Sequence, residues 1–133
     1  MSQVLTPANN PALYRCLFTL LGANMNSTSD QFFAALGNIT KYIVVNIYCT
    51  NASVSLTTAA GGLWTAASQT GNNLVASSQV YTALTGNTKL LALTLASGAT
   101  ANLQTTQPIL HLTTPQGGAA TADFYCFGLD ISV

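Results

Sequence analysis

The run Tyr42-Ile43-Val44-Val45-Asn46-Ile47-Tyr48-Cys49-Thr50, entered from Lys41, is the longest unbroken stretch of β-branched and aromatic residues in the chain. Such residues fit a pleated, packed surface and carry no helical period. Strand geometry sends Ile43, Val45, Ile47 and Cys49 to one side and Tyr42, Val44, Asn46, Tyr48 and Thr50 to the other. The first set is wholly apolar, and the second interrupts its apolar character only with an amide. The expectation is a central strand whose first set builds the core and whose second set is covered as well.

The rest of the chain repeats this theme in shorter form. Ser53 to Thr57 alternates strictly, with Val54 and Leu56 expected inward. Leu63 to Ala67, Leu74 to Ala76 and Val80 to Leu84 follow, separated by Gly61-Gly62, Gly71-Asn72 and Gly86-Asn87. Lys89 to Leu95 places Leu91, Leu93 and Leu95 on one face. Ile109 to Thr113 follows Pro108, and Pro115-Gln116-Gly117-Gly118 is a firm loop. The closing strand, Ala120 to Val133, sets Tyr125, Phe127, Leu129 and Ile131 against Ala122, Phe124, Cys126, Gly128 and Asp130. Between them, residues 97–107 read as a polar connection with Leu103 as its one large anchor.

Residues 16–36 are less regular. Leu17 to Ala23 has no clean period and is read as strand, while Gln31 to Leu36 is open between a strand and a helix capped by Ser29. About eight or nine short strands, with turn signals every 8 to 12 residues, indicate an all-β antiparallel β-sandwich. A jelly roll is preferred over an immunoglobulin-like sandwich. Pro7 and Pro11 around Asn9-Asn10 mark residues 1–15 as an extended N-terminal arm, leaving residues 16–133 as a single domain.

Charge narrows the function classes. Arg15, Lys41 and Lys89 are the only cations, Asp30, Asp123 and Asp130 the only anions, and charged residues make up 5% of the chain; ordinary globular proteins carry about 25%. Three scattered cations make no phosphate-tracking surface, so nucleic acid is not an expected partner. No apolar run approaches the roughly 20 residues of a membrane span, and no cationic start precedes an apolar leader. Polarity is supplied instead by 47 Ser, Thr, Asn and Gln residues. An uncharged surface promotes association, so much of it is expected to be covered in the working state.

No chemistry announces itself. His111 is a lone strand histidine with no nucleophile-elbow pattern nearby. Asp123 and Asp130 sit seven residues apart on one strand, facing opposite sides and roughly 23 Å apart, too far for paired carboxylate work. Cys16, Cys49 and Cys126 fit neither a zinc pattern nor a CxxC redox motif. Catalytic, cofactor-binding and metal-binding residues are therefore each read as none. Cys49 and Cys126 lie in strong strand patterns and are expected as buried free thiols; Cys16 is a candidate for a disulfide with another chain. Asp130, between Leu129 and Ile131, needs Arg15, Lys41 or Lys89 as partner if it is buried. The aromatic residues Tyr42, Tyr48, Trp64, Tyr125 and Phe127 are the candidate oligomer interface, because such rings are enriched where subunits meet. A carbohydrate-binding face is the competing use for Tyr42, Tyr48, Trp64, Tyr81 and Tyr125.

The stretches Leu21-Gly22-Ala23-Asn24-Met25-Asn26-Ser27-Thr28-Ser29-Asp30-Gln31, Thr50-Asn51-Ala52-Ser53-Val54-Ser55-Leu56-Thr57-Thr58-Ala59-Ala60-Gly61-Gly62 and Gln116-Gly117-Gly118-Ala119-Ala120-Thr121-Ala122-Asp123 resemble the small β-sandwich structural proteins of tailed-bacteriophage virions. The resemblance covers about residues 17–132. It implies a non-enzymatic decoration or cement subunit on the capsid, a homo-oligomer, often a trimer, bound to the major capsid protein and assembled into the virion in the host bacterial cytoplasm. It equally accommodates a carbohydrate- or receptor-binding module of a tail fibre or spike. A pilus- or fibre-like subunit donating its N-terminal arm as a strand is the third reading.

Overall fold

The computed structural model describes residues 14–132. In chain order these form β1 (Tyr14–Asn24), β2 (Gln31–Phe32), β3 (Ala34–Ala35), β4 (Tyr42–Thr50), β5 (Ala60–Ala66), β6 (Thr70–Val75), β7 (Leu90–Ala92), a one-turn helix α1 (Ser97–Thr100), β8 (Ile109–Thr114) and β9 (Thr121–Asp130). The strands make two antiparallel sheets, β3-β1-β9-β4-β7 and β2-β8-β5-β6. This is an all-β sandwich.

The pairings are nested. β5 pairs with β6, β4 with β7, β2 with β8 and β1 with β9, as if one long hairpin had its tip at the β5–β6 turn. Rolling that hairpin brings β9 against β4 and β8 against β5. Ser68 and Gln69 at the tip both adopt left-handed backbone, φ 58° and 59°. The Asp30 carboxylate supports them by accepting the Ser68 N–H at 2.9 Å.

The pairing of the Tyr42–Thr50 run with the closing strand is as the sequence predicts. Its sidedness is not. The register shifts between Val44 and Asn46, leaving Val45 as an extra residue. Such a bulge reverses the alternation on one side of it. Tyr42 and Val44 therefore join Ile47 and Cys49 in the core, while Ile43 is half-buried and Val45 is 41% exposed. β9 has no such break: Ala122, Phe124, Cys126 and Asp130 share one face, as their alternation predicts, and that face points inward.

Phe124 is the hub of the core. Its ring stands edge-on to Phe33 at 5.9 Å and to Tyr81 at 5.8 Å, and Phe18 packs on Tyr42 at 4.7 Å. Cys49 and Cys126 are buried free thiols, and burial pushes both far above the ordinary thiol range. Gly128 is required by close packing: a Cβ there would overlap the Ile43 carbonyl oxygen across the β9–β4 ladder.

Several expected strands are loops. Ser53 to Thr57 forms none, because its backbone N–H groups go elsewhere: Ser53 to Thr121 O and Leu56 to Leu84 O. Leu56 is buried as expected, but Val54 is 44% exposed. Val80 to Leu84 contributes only a single bridge, Val80 to Ala60, although Tyr81 and Leu84 reach the core. The 89–95 strand is confined to Leu90–Ala92, and Gln31 to Leu36 is two short strands and not a helix. Within 97–107 the buried residues are Ala99 and Gln104, not Leu103, which is 52% exposed. Gln104 accepts from Asn72 and donates to the Gly98 and Asn102 carbonyls, so its burial leaves no polar atom unsatisfied.

Tyr14 and Arg15, placed in the arm by the sequence reading, belong to β1; the arm's remaining residues, 1–13, lie outside the described ones. Arg15 meets Asp130 at 3.2 Å, and the Asp130 side chain is 3% exposed. The same guanidinium donates to the Cys16 and Leu36 carbonyls, tying β1 to the end of the β3 segment.

Both lateral openings of the sandwich are occupied by chain that passes from one sheet to the other. On one side β2 and β3 are consecutive but belong to different sheets, with buried Phe33 between them. On the other, β7 continues to Leu95, which bridges to Val75 on β6. Of the four sheet edges, β2, β3 and β7 are only two or three residues long, while the six-residue β6 is covered at its end by the Leu95 bridge and by the Ala96 N–H on the Leu74 carbonyl. Short edges of this kind resist strand addition by another chain.

Candidate interaction surface on the outer face of the five-stranded sheet

With three of the four edges this short and the fourth partly covered, the faces are the larger surface the molecule offers to a partner. On the outer face of the five-stranded sheet the register aligns side chains in rows. Tyr14, Leu129 and Ile43 form one; Cys16, Phe127 and Asn46 the next; Ala34, Thr19, Tyr125, Tyr48 and Ala92 a third. Thr50, opposite Asp123 and Leu90, closes the far rim.

Phe127 lies on the middle strand of the five, one row from the full-width row of Tyr125. Tyr14 stacks on it at 5.7 Å with planes 22° apart, and Tyr48 meets it edge-on at 5.8 Å. The Asn46 side-chain amide donates to the Tyr14 hydroxyl at 2.9 Å, fixing that ring over the strand. Each aromatic pair adds about 0.5–1.5 kcal/mol beyond its buried area. The rings are thus held in place by contacts inside the chain while their outer sides remain open. Around them Tyr14 is 45%, Val45 41% and Leu90 63% exposed.

Asp123 is the one charged side chain aligned in these rows, and it is engaged at the rim. Its carboxylate accepts the Gly22 N–H at 2.7 Å and the Asn51 amide at 3.0 Å. Cys16 is half-buried beside Phe127, with its Sγ 3.5 Å from the Phe18 carbonyl; burial raises its thiol above the ordinary value.

Of the five predicted interface residues, three come together here: Tyr48, Tyr125 and Phe127. Tyr42 does not. The Val45 bulge turns it inward, where it is 1% exposed and donates to the Thr106 carbonyl at 2.6 Å. Trp64 lies on the other sheet, paired with Ile109 and only 8% exposed. Tyr14 falls outside the predicted set because the prolines before it mark the segment as an arm; the spacing of Tyr14 and Cys16 is the local strand signal, and the register shift at Leu17 turns Phe18 inward.

The second sheet's outer side holds a different arrangement. Asp30 Oδ1 lies 2.7 Å from His111 Nδ1, and Trp64 stands edge-on to that imidazole at 6.3 Å. With its other oxygen on the Ser68 N–H, Asp30 joins the loop after β1, the β5–β6 tip and β8. Its pKa is lowered by the His111 hydrogen bond first and the Ser68 N–H second. Among the described residues no three His, Cys, Asp or Glu side chains gather closely enough to hold a metal ion.

No protein-family description, no curated protein and no solved structure matches this chain.

Proposed function

We propose that this chain is a structural, non-enzymatic subunit of a tailed-phage virion that acts by docking the outer face of its five-stranded sheet against protein. The observation that carries the reading is the Tyr14–Phe127–Tyr48 cluster: rings fixed by internal contacts on a nearly uncharged face, on a sheet whose two edge strands are only two and three residues long. Pre-organised aromatic side chains lose little entropy on docking, which suits a surface built for contact. The finer fold assignment in this proposal is a jelly roll. The nested pairing and the order β1-β9-β4-β7 over β2-β8-β5-β6 support it, as a rolled hairpin generates that order. Jelly rolls serve both capsids and lectins, so the fold alone does not choose between them.

The partners in this reading are further copies of the chain and the major capsid protein, met in the virion after assembly in the bacterial cytoplasm. The carbohydrate-binding alternative loses three of the five rings counted for it, since Tyr42, Trp64 and Tyr81 are buried. Mass spectrometry of purified particles from a producing host tests the proposal. The wild-type chain is expected at a stoichiometry matching a repeated capsid position, with Phe127→Arg lost from the particles. Absence of the wild-type chain from particles, or glycan binding abolished by Tyr48→Ala, would overturn it.

A further inference from the structure

We infer that the occupant of this face is a second copy of the same chain, packed sheet against sheet about a two-fold axis passing close to Phe127. The inference rests on the reading of the face as a protein-docking surface and names its partner. Three observations lead to it.

Charge complementarity is the first. The face is aromatic and aliphatic with amide and hydroxyl groups between, and its one aligned carboxylate, Asp123, is engaged at the rim by Gly22 and Asn51. An ordinary protein surface brings several charges to any patch of this size, and burying them without partners is costly. This chain, 5% charged and of net charge zero, presents a surface that does not. Two copies meet without like-charge repulsion and without stranded ions.

Area is the second. Five strands about 4.8 Å apart and a ten-residue β9 rising about 3.4 Å per residue make a face on the order of 30 Å long and about 20 Å across at its widest, where the short β3 and β7 flank it. That footprint is of the same order as the roughly 800 Å² per partner of a standard stable interface. Sheets stack about 10 Å apart with strands inclined by about 30°, so two such faces interdigitate as the layers inside a sandwich do.

Position is the third. Phe127 lies on the middle strand, one row from the Tyr125 row that spans all five strands, with Tyr14 and Tyr48 on either side. An isologous contact places one patch on itself, and a self-complementary cluster this near the centre serves that geometry. A trimer uses two different patches on each subunit around a three-fold axis. The product here is a dimer, in place of the trimer implied by the virion resemblance.

Analytical ultracentrifugation of the full chain at micromolar concentration tests this. The expected species has twice the 13.8 kDa chain mass. Phe127→Arg should weaken the dimer by at least about 30-fold, the effect of losing an interface hot spot. Leu90→Arg, at a position 63% exposed and harmless to folding, should weaken it in the same direction. In a Cys16→Ser background, Phe127→Cys should form an interchain disulfide under mild oxidation, because the axis brings the two introduced thiols together. Circular dichroism identifies any variant that fails to fold, and Leu90→Arg then carries the test. A monomer or trimer overturns the inference, as does a dimer indifferent to Leu90→Arg or one in which the introduced thiols do not join. A dimer that survives deletion of residues 1–13 supports the face; one that needs those residues assigns the contact to the arm and overturns it. Monomeric protein that still enters particles sinks the dimer and leaves the virion reading standing, whereas a dimer absent from particles does the reverse.

Discussion

Asp30 and His111 are 81 positions apart in the chain, yet Asp30 Oδ1 sits 2.7 Å from His111 Nδ1. With its second oxygen on the Ser68 N–H, the carboxylate is the common side-chain anchor of three segments.

Acid should loosen that junction. The folded pKa of Asp30 lies below 3.8, so the junction's contribution is fully present above the unfolded value and is lost as pH falls through the folded one. Asp30→Asn is expected to cost about 1 kcal/mol at neutral pH, the worth of a typical hydrogen bond. It should also flatten the stability profile below about pH 4. Urea unfolding at a series of pH values measures both; a variant with the wild-type acid limb would refute the assignment.

Arg15→Ala should be among the most damaging surface-proximal changes. It leaves the Asp130 carboxylate, 3% exposed, without its 3.2 Å partner, and removal of one member of a buried pair costs about 3–5 kcal/mol. Replacing both residues, as Arg15→Met with Asp130→Leu, should recover most of the loss in chemical denaturation.

Leu103 and Gln104 invert the usual expectation for adjacent apolar and polar residues. Leu103→Ala, at 52% exposure, should stay within about 0.5 kcal/mol of wild type. Gln104→Ala strands the Asn72 amide and two carbonyls and should cost about 2–3 kcal/mol. Equal midpoints for the two variants in denaturant would contradict this account.

Thiol accessibility separates the three cysteines. Native protein is expected to react with a chromogenic disulfide at Cys16 alone, slowly at neutral pH and faster as pH rises, because burial raises that thiol. All three should titrate after unfolding. Two or more fast native equivalents would place Cys49 or Cys126 outside the core.

Gly128→Ala is expected to prevent stable folding, since the added methyl overlaps the Ile43 carbonyl in the central ladder. Soluble expression and circular dichroism read the outcome directly.

Much of this architecture is legible in residue order, and the failures share one cause. β9 alternates without interruption from Thr121 to Asp130, and its inward and outward residues are those its sequence predicts. β4 has an equally strong pattern, but one bulge at Val45 reverses its first half. A bulge is set by the register of two distant strands and leaves no local mark. The same dependence hides Gln104, whose burial is decided by Asn72, Gly98 and Asn102, and the 53–57 loop, whose N–H groups are claimed by Thr121 and Leu84. The proposed docking cluster is half visible in the sequence for this reason. Tyr48, Tyr125 and Phe127 lie beyond the bulge or opposite it, Tyr42 lies before it, and Tyr14 follows prolines that disguise a strand.

The nested pairing of β1 with β9 also has a mechanical meaning. Tyr14 lies opposite Leu129 at one end of the ladder and Asn24 opposite Thr121 at the other. Tension drawn through the chain on both sides of this pair would meet its hydrogen bonds one after another and peel β1 away, as a zip opens. Load pressed through the Phe127 face would instead be shared by every rung of the sheet at once. A subunit with this wiring is weak when tugged along its backbone and strong when clamped across its broad side.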